Sequence, residues 1–178
     1  MTPDSTPAGA DGGGLFLELS ARFLERELFP RIQACLRQLS PDDVWWRPNE
    51  ASNSVGNLCL HLAGNLGQWV VSGVGEQPDT RRRQEEFDRR DHLSAEELDA
   101  SLGRVVSRAA AVLRAFDPAR LPERLTVQGH DVTFMEAAYH AVEHFSMHTG
   151  QIIWVTKTRL GRDLAFYDVR DGVAIRRW

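Results

Sequence analysis

The sequence predicts an all-α fold in which long helices pack side by side around one core. Apolar residues recur at helical spacing along much of the chain, and the longest such stretch runs from Phe134 to Arg159. A second stretch, from Asn57 to Trp69, has a narrow polar stripe between apolar residues, which is typical of a helix facing the interior of a bundle. The 178 residues, 42% hydrophobic and 26% charged, suit one globular domain.

The beginning of the chain separates into a tail and a first helix. Residues 1–13, MTPDSTPAGADGG, are rich in Pro, Gly and Ala and have little to bury, so we expect a disordered N-terminal tail. The single domain then covers residues 14–178. Apolar spacing predicts the first helix from Leu15 to Leu39, and Pro30 is expected to kink or interrupt it near Leu28.

The second long helix contains the first candidate site residues. It follows a short helical turn that opens at Ser40 and Pro41, and it runs from about residue 54 to residue 72. Polar residues at steps of four, four and three share one of its faces: Asn57, His61, Asn65 and Gln68. Two interpretations of His61 remain open, a core histidine with satisfied hydrogen bonds and a metal ligand.

Residues 80–91, TRRRQEEFDRRD, form a dense run of mixed charge. Such a run suits either an anion- or nucleic-acid-binding patch or a solvated connector with many ion pairs. The interleaved acidic residues favour the connector. An arginine such as Arg81 can meet an acidic substrate, but the sequence does not single it out.

The third long helix opens with Ser94 and Glu97, which have the spacing of a capping box, and continues to about Phe116. It contains no histidine and is expected to be a packing element. Residues 125–133 have β-formers on either side of a glycine, which predicts a short hairpin or an extended loop.

The last long helix carries three histidines at intervals of four residues, His140, His144 and His148. Four residues advance a helix by about 400°, so the histidines form a stripe along one side. His144 and His148 make an H-x-x-x-H pair, which lets imidazoles on adjacent turns reach one metal ion. With His61 they have the composition of a catalytic zinc site. The alternative is a helix–helix contact in which neighbours or water satisfy the ring nitrogens.

Composition excludes several classes of function. The formal net charge of −4 offers no electrostatic case for binding nucleic acid or an anionic membrane. Cys35 and Cys59 sit in apolar helical patterns and are expected to be buried, reduced thiols. We find neither a signal peptide nor an apolar run long enough to span a bilayer, so a cytoplasmic protein is expected.

Two segments resemble the DinB-like superfamily of metal-dependent enzymes: RPNEASNSVGNLCLHLAGNLGQW at Arg47 to Trp69 and HAVEHFSMHTGQI at His140 to Ile152. The resemblance rests on a lone histidine on the second helix and an H-x-x-x-H before a Gly-Gln-Ile end on the last, and it covers about Leu15 to Leu164. It implies a DinB-like four-helix bundle of up-down-down-up topology, with a divalent metal at one end of its core.

The resemblance also implies site residues. Its ligand positions fall on His61, His144 and His148, and zinc or nickel is the expected ion. We expect three further residues to lie beside these ligands without binding the ion: Asn57, Asn65 and His140. The sequence assigns no catalytic residue, since Glu143, the acid adjacent to His144, points about 100° away from it on a helix.

The superfamily's known activities imply a reaction class. They include bacillithiol and mycothiol S-transferases and a mycothiol-dependent maleylpyruvate isomerase, so we expect transfer of a small-molecule thiol to an electrophilic substrate. A metal suits this chemistry because coordination lowers the pKa of a thiol. The same ion can activate water for hydrolysis. The non-catalytic alternative is a stress-related homodimer that binds a metal or another ligand.

The chain also has five tryptophans: Trp45, Trp46, Trp69, Trp154 and Trp178. Tryptophan is favoured at interfaces because its ring is apolar and its N–H can meet a partner or water. Together with the resemblance, this predicts a homodimer. The alternative is that all five line the core or shield the metal pocket.

Overall fold

The computed structural model describes residues 11–90 and 93–177, most of which are helical. The first and third helices each contain a π-helical part: α1 comprises Gly12–Phe23, the π-helical Leu24–Leu28 and Phe29–Leu36, and α3 comprises Val55–Leu66 and the π-helical Gly67–Val74. The other helices in these ranges are α2 (Pro41–Trp45), α4 (Arg83–Asp88), α5 (Ala95–Ala115) and α6 (Phe134–Leu160), with a short 3₁₀ turn at Pro118–Arg120. Two antiparallel hairpins accompany them: β1 (Arg124–Val127) with β2 (His130–Thr133), and β3 (Tyr167–Arg170) with β4 (Val173–Arg176).

The fold is therefore mostly helical, and the expectation of an all-α protein needs correcting for the two hairpins. Each hairpin turns through two residues with positive φ, Gln128–Gly129 and Asp171–Gly172. Such turns match the twist of paired strands, which is why short β-forming segments around them pair. Of the two alternatives for residues 125–133, a short hairpin or an extended loop, the structure has the hairpin, which begins at Arg124.

Helix α1 shows the effect of Pro30. The N–H of Phe29 donates to the carbonyl of Leu24, five residues earlier, so the helix is widened into π-helical turns just before the proline. Proline has no N–H and crowds the carbonyl four residues before it, and a wider turn relieves this. The predicted disturbance near Leu28 thus takes the form of a π-helical segment within a continuing helix.

Helix α1 also starts earlier than expected. The carboxylate of Asp11 accepts hydrogen bonds from the N–H groups of Gly13 and Gly14, at 3.1 and 3.3 Å, and caps the helix. Residues 12 and 13, which the sequence placed in a disordered tail, therefore form the first helical turn. The rest of that predicted tail, residues 1–10, lies outside the described residues.

The core lies where α1 and α3 both pack against α5 and α6. Its largest fully buried side chains come from all four helices and include Leu24, Leu62, Leu102 and Phe145. Both cysteines are buried and unpaired, and burial raises the pKa of Cys35 to about 11 and that of Cys59 further. Within the described ranges, no helix has a stretch sufficiently long and apolar to cross a bilayer.

Candidate metal centre

Helices α3 and α6 bring three histidines together. One ligand atom from each of His61, His144 and His148 can be chosen so that the three atoms lie within 4.8 Å of one another. The Nε2 atoms of His61 and His144 are 2.8 Å apart. The ring of His148 meets those of His61 and His144 edge-on, with centroids 5.0 and 4.4 Å away. The three candidate ligands thus occupy one site, with His61 buried and the other two half-buried.

The Nδ1 atoms of two of the histidines have acceptor partners outside the trio. The Nδ1 of His61 lies 3.0 Å from a carboxylate oxygen of Glu86, and the Nδ1 of His148 lies 2.6 Å from the amide oxygen of Gln151. The Nη2 of Arg81 also lies 3.2 Å from the Nδ1 of His61, but it donates to Glu86 at the shorter distance of 2.8 Å. Glu86 and Gln151 present acceptor oxygens, which favours the tautomer with the proton on Nδ1 and the lone pair on Nε2. A histidine whose outer nitrogen is held by an acceptor in this way has its other nitrogen available as a metal ligand.

The histidines of α6 favour the neutral form. Burial, reinforced by the neighbouring histidines, lowers the pKa of His144 to about 3. Burial also lowers the pKa of His148, despite the hydrogen bond to Gln151, and that of His140. Neutral imidazoles are the form that binds a metal ion, so the donor set fits zinc or another divalent ion that prefers nitrogen.

A buried ion pair supports His61 from outside the histidine helices. Arg81 donates to Glu86 from Nε at 2.7 Å and from Nη2 at 2.8 Å, and both side chains are largely buried. Burial alone would raise the pKa of Glu86, but the hydrogen bonds from Arg81 and His61 outweigh it and lower the pKa. Glu86 is therefore an ionised acceptor for the Nδ1–H of His61.

Arg81 and Glu86 are site residues that the sequence did not reveal. The expectation of a solvated connector holds for their exposed neighbours Arg82 and Glu85 but is wrong for this pair. Charge patterning favours helical pairs three or four residues apart, whereas Arg81 and Glu86 are five apart and meet across the start of α4. The only apolar residue of the run, Phe87, was the available signal, and its ring packs on that of His61 at 4.8 Å.

The side chain of Asn57 has no hydrogen bond to a histidine among the described residues; it holds the segment that carries Glu86 in place. Its side-chain amide donates to the backbone carbonyls of Glu86 and Arg89, at 2.9 and 2.8 Å, while its side-chain oxygen accepts from Ser54 at the start of α3. It thereby fixes helix α4 against α3. Asn57 thus supports the ligand His61 through the backbone of the segment that carries Glu86.

A cavity of about 420 Å³ opens beside the histidines. His61 and His144 form one part of its wall, and His140 lies further along, with its ring 4.1 Å from that of Trp69. Asn65 also lines the cavity and is only 4% exposed, yet its side chain has no hydrogen bond to any residue that the structure describes. His140 and Asn65 are thus placed to contact a molecule in the cavity.

The chain was compared with known families and structures. A model of the family described as protein of unknown function (DUF1572) matches residues 17–171. Among solved structures, the chain is similar to the "conserved protein of locus from Enterococcus faecalis", with a TM-score of 0.67. The two are 19% identical over 82% of this chain and 97% of that chain, a likeness that shows the fold alone. No curated protein matches the chain.

Proposed function

Starting from the finding that the chain belongs to the family of proteins of unknown function DUF1572, we propose that it is a divalent-metal-dependent enzyme. The observation that carries the proposal is the convergence of His61, His144 and His148, in which the Nδ1 atoms of His61 and His148 meet acceptor oxygens and the Nε2 of His61 lies 2.8 Å from that of His144. Three imidazoles without a fourth protein ligand are typical of catalytic zinc sites, which keep a position open for substrate.

The proposed fold is the DinB-like four-helix bundle of up-down-down-up topology, formed by α1, α3, α5 and α6. Two observations support this assignment. The four long helices share one core, and the lone histidine of α3 faces the H-x-x-x-H pair of α6.

In the proposed site, His61, His144 and His148 hold a zinc or nickel ion. When bound, the ion supplies a Lewis acid that favours the thiolate form of a thiol. The residues around it orient the ligands: Glu86 binds the outer nitrogen of His61, and Gln151 that of His148. The adjacent cavity has the size of a small-molecule site and brings a substrate to the exposed side of His144.

The proposed reaction is transfer of a small-molecule thiol to an electrophile. The thiol loses its proton, and its sulfur atom forms a bond to the electrophilic carbon. In a substitution, a leaving group departs from that carbon; in an addition, the atom next to that carbon takes up a proton. Asn65 is the proposed substrate contact, since its buried amide faces the cavity without a partner among the described residues. Hydrolysis at the same site and a non-catalytic metal- or ligand-binding role are the alternatives.

Metal content of purified variants tests the ligand assignment. We expect His61→Ala, His144→Ala and His148→Ala each to lose most of the bound metal, because each removes one of the three proposed donors. His140→Ala is the matched control, since His140 packs on Trp69 outside the trio and should keep its metal. Equal loss of metal in all four variants would contradict the assignment.

Turnover separates the reaction classes. Zinc- or nickel-loaded protein is incubated with a generic electrophile, such as 1-chloro-2,4-dinitrobenzene, and a panel of cellular thiols. Thiol-dependent product formation that is lost in His144→Ala supports the transferase. Metal binding without such turnover, together with cleavage of an activated ester, supports the hydrolase. Metal binding with neither activity supports the non-catalytic alternative.

A further inference from the structure

His61 differs from the other two histidines in having a charged partner. The carboxylate of Glu86, which lies on α4, accepts a hydrogen bond from the Nδ1 of His61. Arg81 donates to both oxygens of that carboxylate. The side chains of Arg81 and Glu86 are only 4% and 9% exposed. A buried carboxylate needs compensating donors, and here Arg81 and His61 supply them. The trio of charged and polar groups forms one closed unit beside the site.

Gly64 makes room for this unit. It lies one turn after His61 on α3, and a Cβ added there would lie 1.9 Å from one oxygen of Glu86 and 2.9 Å from the Nε of Arg81. Real Cβ atoms do not approach an oxygen so closely, so any other residue at position 64 displaces the carboxylate. The glycine is required by this approach, since its backbone is ordinary helix.

The segment that carries Arg81 and Glu86 is anchored to α3 on either side of this contact. Arg81 donates from Nη1 to the side-chain oxygen of Gln68 at 2.9 Å, and Asn57 holds the carbonyls of Glu86 and Arg89. The carboxylate therefore reaches His61 from a fixed backbone. An ion pair that only linked two segments at the surface would not need to be buried, held at two points and approached by a glycine.

We propose that Arg81, Glu86 and Gly64 together position His61 for metal binding. Glu86 holds the proton on Nδ1 and sets the angle of the ring, Arg81 holds the carboxylate, and Gly64 lets it approach. The Nε2 of His61 is thereby directed at the site it shares with His144 and His148. This inference rests on the proposed function in that the ligand is a divalent metal. A carboxylate behind a ligating histidine typically changes metal affinity by about 10- to 100-fold.

The test uses two variants with matched controls. Glu86→Ala removes the carboxylate, and Gly64→Ala pushes it away. Glu85→Ala is the control for the first, because Glu85 is an exposed neighbour that pairs with Arg82. Gly67→Ala is the control for the second, because a Cβ at Gly67 meets no atom within 4 Å. Glu86→Gln adds a conservative variant that keeps an oxygen acceptor without the charge.

Zinc affinity is measured on the full chain by competition with a chromophoric chelator, and circular dichroism checks that each variant is folded. We expect Glu86→Ala and Gly64→Ala to weaken zinc binding by about 10- to 100-fold, Glu86→Gln to recover part of the loss, and both controls to match the wild type. Wild-type zinc affinity in folded Glu86→Ala or folded Gly64→Ala would overturn the proposal.

A second readout works without metal. In metal-free wild type, ¹⁵N NMR of the imidazole nitrogens should show His61 protonated at Nδ1, and Glu86→Ala should abolish that preference. An unchanged tautomer in Glu86→Ala would overturn the proposal. Failure of the wild type to bind any divalent ion would instead contradict the proposed function, and the tautomer measurement would still decide the positioning role.

Discussion

Asn57 and Asn65 lie on the same face of α3 and are both buried, but their amides have different surroundings. Asn57 makes hydrogen bonds to Ser54, Glu86 and Arg89, whereas Asn65 has no hydrogen bond to any described residue and opens onto the cavity. Loss of Asn57 removes the donor to the buried carbonyl of Glu86, whereas loss of Asn65 breaks no hydrogen bond among the described residues. The two positions therefore separate a structural amide from one available to a ligand.

We expect Asn57→Ala to lower the free energy of unfolding by about 1 to 3 kcal/mol, and Asn65→Ala to lower it by less than about 1 kcal/mol. Urea denaturation of the two variants gives the comparison. In the thiol-transfer assay the order should reverse, with Asn65→Ala losing activity although it stays folded. Equal destabilisation by both substitutions would show that Asn65 has a structural role.

At the residue scale, the sequence could identify the three histidines but not their support. His144 and His148 are linked by helical spacing alone, and His61 by the polar stripe on its own helix. Arg81 and Glu86 instead reach His61 from a separate charged segment, and local spacing gives no sign of such a contact. The sequence likewise gives no reason for a glycine at position 64, because the side chain that requires it is that of Glu86, on another helix.

At the scale of elements, the start of α1 depends on one side chain. Asp11 caps the helix by accepting from two N–H groups of its first turn. We expect Asp11→Ala to lower the free energy of unfolding by about 1 kcal/mol and Asp11→Asn to have little effect, because asparagine caps as well as aspartate. Thermal or urea unfolding measures both. A loss of the same size in Asp11→Asn would point to the charge rather than the cap.

The long helices could be predicted from the sequence because each has its own apolar periodicity, and two of them also have a clear start signal. Ser94 with Glu97 and Thr133 with Glu136 form capping boxes in the structure, as their spacing indicates. The second hairpin was missed because the residues of β3 and β4 are mostly exposed and carry no burial pattern. Asp171–Gly172, a dipeptide favoured in tight turns, was the signal that could have shown it.

For the whole molecule, the tryptophans divide into two groups. Trp45 donates to the carbonyl of Leu93, the ring of Trp46 lies beside the guanidinium of Arg159, and Trp69 is buried beside the site. These three tryptophans make contacts within their own chain, and Trp178 lies outside the described residues. Only Trp154 of the described tryptophans is exposed, at 63%, and it shares one face of α6 with the exposed Tyr139 and Met147.

We expect this face of α6 to form a homodimer with two-fold symmetry, as the family resemblance implies. Light scattering at micromolar concentration should give twice the mass of one chain. On dilution, the measured mass should fall toward that of a single chain. Trp154→Glu should shift the equilibrium to monomer, whereas Val173→Glu, on the exposed strand β4, should not. A single-chain mass at every concentration would exclude the dimer.

The π-helical part of α3 has a consequence for changes in chain length. π-helical turns accommodate an extra residue between flanking turns that remain in place, so removal of one residue from Gly67–Val74 can restore ordinary helix without rotating either flank. Removal of one residue within α5 instead rotates everything beyond it by about 100°.

We expect deletion of Gly67 to leave the protein folded and deletion of Gly103 to unfold it, although neither deletion removes a side chain. Soluble expression and thermal unfolding of the two shortened chains give the comparison. If the prediction is correct, natural relatives that differ by one residue in α3 can keep the same metal centre.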